Sequence, residues 1–237
     1  MCGRYTFAPG NLTLFADRLS VEAPPPASAA GYNVRPGRPV ATIVQRAASA
    51  PSCEMFHWGL IPAWAQSAER QYKMINARIE TVTEKRAYSG LLAQHRCLIP
   101  ADGFFEWQPR SDGPKQPWWF HLPSAELFAF AGLWTCWQPQ PDVEPVNSCT
   151  ILTTAANELV EPVHGRMPLI LERGDEAGWL DPAVTAEEAL ALVASNANGS
   201  LIGEAVSRSV NNTRNQGPEC IEPVDPDRPD PEPGALF

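Results

Sequence analysis

Positive charge and histidine are both scarce in this chain. Lysine and arginine total 18 against 27 acids in 237 residues, and the four histidines are not spaced as metal ligands. The six cysteines, Cys2, Cys53, Cys97, Cys136, Cys149 and Cys220, contain no CxxC pair. Neither a zinc site nor a disulfide framework is signalled, so they read as reduced, mostly buried thiols, and no metal or cofactor is expected. A run of roughly 18 apolar residues is missing, as is a basic-then-apolar leader, so a soluble, cytoplasmic protein with no membrane partner is expected. No linker interrupts the middle and no repeat recurs. With 44% hydrophobic residues the chain can bury a real core, and one domain over residues 1–222 is expected.

The net charge of -9 argues at first against a polyanionic partner. Its location weakens that objection. Residues 219–237 hold six acids and one base, which leaves only -4 on residues 1–218. Residues 223–237, acidic and proline-rich with almost nothing to pack, are expected to be a disordered tail. Arg4, Arg35, Arg38, Arg78 and Arg166 recur beside the motifs below, so a local basic groove remains open on a mildly acidic protein.

Leu12, Phe15 and Leu19 fall at helical spacing and predict a short amphipathic helix over Asn11–Ser20. Short extended runs punctuated by Pro and Gly follow: Val40–Gln45, Cys53–Trp58, Met74–Ile79, Cys97–Ile99, Gly103–Gln108, Trp118–Leu122, Leu127–Trp134, Cys149–Thr154, Leu169–Leu171 and Glu204–Val210. Helices are expected at Glu84–Gln94, Asp175–Leu180 and Thr185–Ala197, the last opened by a Thr185/Glu188 capping box. The pattern predicts an α+β domain dominated by curved antiparallel sheet.

The chemistry-bearing stretch is the start, Met1-Cys2-Gly3-Arg4-Tyr5. Removal of Met1 would leave Cys2 as a 1,2-aminothiol, with an amine titrating near ~8 and a thiol near ~8.5. Such a group condenses with an aldehyde to an imine that the thiolate closes to a thiazolidine. By position and type alone, Cys2 fits a small buried side chain on a first strand at least as well. Asn76, Arg78 and Glu80 alternate with apolar residues and would share one face of a strand. Glu106 lies among aromatics that could desolvate it and raise its pKa. His164 alone of the histidines sits in a glycine-flanked, basic setting, His164-Gly165-Arg166-Met167-Pro168.

Together with Tyr32-Asn33-Val34-Arg35-Pro36-Gly37, Trp58-Gly59-Leu60-Ile61-Pro62, Asn76-Ala77-Arg78-Ile79-Glu80-Thr81, the run from Cys97 to Trp107, and Ala131-Gly132-Leu133-Trp134, these motifs resemble the SOS-response-associated peptidase family of abasic-site processing proteins, from Met1 to about Glu222. Arg35 stands where that family commonly has Ala or another small residue. The resemblance implies a tent-like or barrel-like core of curved antiparallel sheets with peripheral helices. It implies loss of Met1 and covalent capture, as a thiazolidine, of the ring-opened aldehyde of an abasic site in single-stranded DNA during the DNA-damage response. Autopeptidase and lyase-type chemistry come with it. Carried over by motif, Cys2 is the nucleophile, Asn76 positions its amine, Glu106 shuttles protons, and His164 assists ring opening and imine chemistry. Arg4, Arg78 and Arg166 would hold phosphates, with Arg35 and Thr154 beside them, and Trp64 with Pro36 would stack against neighbouring bases. A monomer, nucleoid-associated when bound to DNA, is expected.

Two other classes share part of this pattern. An N-terminal-nucleophile amidase would use Cys2 and Glu106 but gives no role to Trp64 or the arginines. A noncatalytic single-strand-binding module needs the arginines and not a free Cys2.

Overall fold

Prolines and glycines break the chain every few residues, and most of the runs between them become strands, as the alternating patterns predict. The computed structural model describes residues 2–227 except 20, 48, 68–73, 112, 124 and 195–199. In chain order the elements are β1 (Tyr5–Phe7), α1 (Leu12–Leu19), β2 (Gly31–Val34), β3 (Pro39–Val44), β4 (Ser52–Trp58), β5 (Asn76–Arg78), β6 (Arg96–Ala101), β7 (Gly103–Gln108), β8 (Gln116–His121), β9 (Phe128–Trp137), β10 (Val146–Ala155), β11 (Arg166–Pro168), β12 (Ile170–Leu171), α2 (Glu176–Leu180), α3 (Ala186–Ala194) and β13 (Ile202–Ala205).

Two sheets form. One is a five-stranded antiparallel sheet in the order β13-β8-β7-β1-β2. In the other, β10, β4, β3, β6 and β9 pair in sequence, and β9 pairs again with β10, which closes a barrel. β5 and β11 attach to β10, and β12 to β9. The expected α+β class and curved sheets are found. Two pairings depart from the antiparallel rule, since β10 runs parallel to β4 and to β5. β4 takes Ser148 and Cys149, and β5 takes Ile151 to Thr153, so the two behave as one strand interrupted at Gly59. Gly59 supplies the break with φ 137°, a conformation that strains any side chain, and donates to the Cys149 carbonyl at 2.9 Å. The turn so extruded carries Trp64. It is tied back by Ile61 N–H to Ser148 Oγ at 2.9 Å and by Trp137 Nε1 to the Ala65 carbonyl at 2.7 Å.

The core between the sheets is aromatic. Tyr5 packs on Trp58 (centroids 5.3 Å) and edge-on to Phe130 (5.7 Å), and Phe104 stacks on Phe120 (5.2 Å). Between β6 and β7 the chain passes from one sheet to the other within a single residue, Asp102. Asp102 is buried, its N–H donates to the Thr6 carbonyl, and its Oδ2 accepts from Ala8 N–H (2.5 Å) and Asn11 Nδ2 (2.9 Å). This corner fixes where Glu106 falls on β7.

Some expected elements are different. Glu84–Gln94 is a series of turns rather than a helix: Tyr88 and Leu91 N–H reach back three residues and Ser89 four. Ser89-Gly90 in its middle lowers helix propensity by about 1 kcal/mol, and the Leu92 and Ala93 carbonyls are taken by buried Arg96. The strand expected over Glu204–Val210 stops at Ala205, and a 3-10 turn over Arg208–Asn211 follows, with Ser207 Oγ accepting from Ser209 N–H. Glu80 leaves the face it was expected to share with Asn76 and Arg78, because Ile79–Thr81 turns as a 3-10 helix. The Thr185/Glu188 capping box forms with both reciprocal bonds; residues 195–197 of that expected helix lie outside the described residues. Residues at the start of the expected tail lie against the fold, where Pro223 bridges Val206 and Val224 N–H donates to the Ala205 carbonyl at 2.8 Å. Residues 228–237 lie outside the described residues.

Candidate active site

Cys2 precedes β1, whose pairing with β7 (Tyr5 opposite Phe104) lays the first residues along the strand that bears Glu106. Cys2 is fully buried, and its thiol donates to the Arg4 carbonyl at 3.6 Å. That carbonyl also accepts from Phe105 N–H at 3.0 Å, so one oxygen ties the thiol to the neighbour of Glu106. From the barrel side, Asn76 on β5 donates through Nδ2 to the Cys2 carbonyl at 2.8 Å. Asn76 Oδ1 is buried and has no hydrogen-bond partner among the described residues.

Glu106 is 3% exposed, and its Oε1 lies 3.8 Å from His164 Nδ1. His164 sits in the loop between β10 and β11, its Nδ1 3.1 Å from the Arg166 N–H and 3.0 Å from the Arg166 carbonyl. Burial raises the Glu106 carboxyl above the usual carboxylate range, and the His164 ring acts against the shift. The Cys2 thiol is pushed far above its ordinary value, first by burial and then by the Glu106 charge. The sequence reading left the thiol near its ordinary value; burial overturns that, and the resting sulfur is a protonated thiol. Cys2, Asn76, Glu106 and His164 therefore meet as two contacting pairs joined by the field of Glu106 on the sulfur.

The candidate DNA contacts divide into groups. Arg78, Thr154 and Arg166 gather at the end of β10: Arg78 is opposite Thr153, Thr154 opposite Met167, and Arg166 opposite Ala155. Arg78 is exposed without an ion pair among the described residues, whereas Arg166 grips Glu80 by two bonds and also donates to the Thr153 carbonyl at 2.7 Å. Arg35 is exposed, and Pro36 beside it is half-buried, ahead of a turn at Gly37 (φ 79°). Trp64 is 57% exposed, with the Arg86 guanidinium 4.8 Å above its ring. Arg4 lies elsewhere, half-buried, with Nη1 on Asn33 Oδ1 (2.7 Å) and the Val210 carbonyl (2.9 Å), over the Trp107 ring.

Sequence reasoning did not single out Asn33, Trp107 or Arg86, nor pair Glu80 with Arg166. Motif position was the one available signal for Asn33 and Trp107, since both lie inside quoted segments. The remaining histidines sit on the fold: His121 stacks on Trp119 and meets Glu204, and His95 packs on Trp134. Among the described residues no group of three His, Cys, Asp or Glu side chains is placed to hold a metal, and no helix is long and apolar enough to cross a membrane.

Known proteins match this chain over most of its length. The model of the SOS response associated peptidase (SRAP) family matches residues 1–213. Abasic site processing protein YoqW of Bacillus subtilis is 38% identical over 224 residues, which is 94% of this chain and 99% of the relative. Abasic site processing protein HMCES of Gallus gallus is 38% identical over 193 residues, 71% of this chain and 56% of that longer protein. A crystal structure of a protein from Bacteroides thetaiotaomicron superposes with a TM-score of 0.73 at 25% identity, covering 82% of this chain and 85% of its own. By the span of the family match and the identity to relatives of its own length, this chain belongs to the SOS response associated peptidase family.

Proposed function

We propose that this protein captures the ring-opened aldehyde of an abasic site in single-stranded DNA as a thiazolidine on Cys2, after Met1 has been removed. The observation that supports this reading best is that buried Cys2 is bonded by Asn76 at its carbonyl and lies in the field of buried Glu106, which the half-exposed His164 ring approaches at 3.8 Å. Met1 itself lies outside the described residues.

A protonated thiol sets the order of steps. The free α-amine attacks first, with the unpartnered Asn76 Oδ1 available to accept one of its hydrogens. The carbinolamine then loses water, its oxygen taking a proton from Glu106, whose pKa burial raises. His164 beside it assists opening of the sugar ring. The thiol next gives up its proton to the Glu106 carboxylate as sulfur bonds to the iminium carbon, and the C=N π pair moves onto the ring nitrogen. The sum is aldehyde plus aminothiol giving thiazolidine plus water. The same imine is the species from which lyase-type strand cleavage would start, and the same carboxyl would move the proton in cleavage of the Met1–Cys2 amide.

An abasic nucleotide has already lost its stacking and enters a pocket at little cost. Phosphates on either side would meet Arg78, Thr154 and Arg166, with Arg35 and Pro36 across the site and Trp64 as a base platform. Binding as a monomer in the cytoplasm, on exposed single strands of the nucleoid, fits this use. The test is to mix purified protein with a single strand holding one abasic site. A heat-stable shifted band on a denaturing gel, from protein whose intact mass is short by one methionine, is the expected result; an active, crosslinking preparation that retains Met1 would exclude the thiazolidine.

A further inference from the structure

Arg4 entered as a phosphate contact, yet both hydrogens of its Nη1 point inward, to Asn33 Oδ1 at 2.7 Å and the Val210 carbonyl at 2.9 Å. Asn33 is fully buried on β2. Its Nδ2 is directed at the carbonyls of Val210 (3.0 Å), Asn212 (3.2 Å) and Asn215 (3.0 Å). Its own carbonyl accepts from Gln216 Nε2 at 3.1 Å, and Tyr32 N–H donates to the Gln216 carbonyl. One amide thus sews the segment from Val210 to Gln216 onto the strand next to β1. The same segment reaches the catalytic strand, where Asn211 Oδ1 accepts from Trp107 Nε1 at 2.7 Å, one residue after Glu106. Arg4 lies over that Trp107 ring at 5.8 Å.

We infer that Asn33, acting through Arg4, is a positioning residue for the Cys2 thiol. The path is short. Asn33 and Val210 hold the Arg4 side chain, and the Arg4 carbonyl is the acceptor for the thiol and for Phe105 N–H. The other end of Cys2 is held independently, by Asn76 at its carbonyl. Loosening Arg4 therefore displaces the sulfur while Asn76 keeps its hold on the Cys2 backbone from which the amine projects. Since the amine makes the imine and the sulfur closes the ring, the fault appears as a stalled imine. A general loss of structure would not partition the products in this way.

The inference rests on the thiazolidine reading, and its test separates the two. The full chain, Asn33→Ala and Arg4→Lys are each reacted with an abasic single strand, with and without borohydride. Displacement of a reacting group by about 1 Å costs on the order of 10²-fold, so the ratio of heat-stable crosslink to borohydride-trapped imine should fall by about 10- to 100-fold in both variants. Affinity for an intact single strand and its salt slope should not change. Without DNA, iodoacetamide should label Cys2 faster in both variants. If native protein forms no heat-stable crosslink but Cys2 labelling still rises, the proposed function falls and the positioning role stands. Native product ratio and native labelling in Arg4→Lys, which keeps the charge, would overturn the inference whether or not Asn33→Ala folds. So would an Arg4→Ala protein with a reduced salt slope and an unaltered product ratio, since Arg4 would then be a phosphate contact alone.

Discussion

Arg166 holds Glu80 through both terminal nitrogens, Nη1 to Oε1 at 2.6 Å and Nη2 to Oε2 at 2.9 Å, across a gap in sequence that spans five strands. A forked pair of this kind presents to Glu80 the same edge that a phosphate would take. The Arg166 hydrogen bond also holds the Glu80 carboxyl below its usual range. On the proposed reading, Glu80 then competes with DNA for Arg166 in the free protein. Glu80→Gln should tighten binding to single strands and steepen the salt dependence by up to about 0.7, the slope of one single-strand contact. The sign for stability is opposite: a depressed carboxyl adds stability above its unfolded pKa and loses it as pH falls through its folded one. The native protein's advantage over Glu80→Gln should thus vanish in acid. Fluorescence anisotropy across salt and melting across pH check the two halves; unchanged affinity in Glu80→Gln would mean that Arg166 stays clear of phosphate.

Glu106 carries the reverse sign. Burial raises its carboxyl, so the folded chain holds that proton to higher pH than the unfolded chain does, and stability declines as pH rises between the two values. Glu106→Gln removes this liability. It should melt higher than the native protein near neutral pH, with the difference shrinking toward about pH 4 where both states are protonated. Crosslinking by the same variant, measured only on molecules that have lost Met1, should slow by ~10²-fold or more, since a positioned acid/base group contributes that much. A variant that is both no more stable and no slower would make Glu106 an ordinary core residue.

The cysteines should separate by environment. Cys136 is exposed, whereas Cys2, Cys97 and Cys149 are fully buried with thiols pushed up by burial, Cys149 to about 12. Brief treatment with iodoacetamide near pH 8, read by peptide mass mapping, should modify Cys136 first and leave these three nearly untouched. Rapid labelling of Cys2 in the folded native protein would show that its thiol is not sealed. Cys2→Ala should lose the heat-stable crosslink while an imine on the α-amine remains trappable by borohydride.

Trp64 and Arg78 are both exposed and should contribute in different ways. Trp64→Ala is expected to weaken single-strand binding by about 1 to 3 kcal/mol with the salt slope intact, as for a lost stacking platform. Arg78→Ala should lower the slope by about 0.7. Titrations at several salt concentrations distinguish them, and equal slope changes would remove the division into stacking and phosphate contacts.

The strand at Gly103–Gln108 and the helix near Leu12–Leu19 were legible because alternation and helical spacing are local properties. The turns at Glu84–Gln94 were not, because Tyr88, Leu91 and Leu92 lie at helical spacing, and the three-residue reach of the Tyr88 and Leu91 N–H groups leaves no mark in the sequence. Cys2, Asn76, Glu106 and His164 were legible by resemblance; no spacing in the chain says that Asn76 should reach the Cys2 carbonyl. The parallel placement of β5 on β10 does that, and it depends on the break at Gly59. The Glu80–Arg166 and Arg4–Asn33 contacts were illegible for the same reason, since each joins segments brought together only by sheet pairing. Burial of Cys2 was legible from residue type as one of two readings; the rise of its thiol above the ordinary value was not, because that depends on Glu106 being brought near it by sheet pairing.

The four site residues are drawn from β5, β7, the loop after β10, and the residue ahead of β1. During synthesis Cys2 emerges first and His164 last, and β10, to which β4, β5, β9 and β11 all pair, is made only shortly before. At translation rates of ~5–20 residues per second the interval is on the order of ten to thirty seconds. For the first part of that time the growing chain has Cys2 without Glu106, for all of it His164 is missing, and barrel closure must await the late strand. The assembled set of Cys2, Asn76, Glu106 and His164 therefore exists only once the ribosome has passed His164.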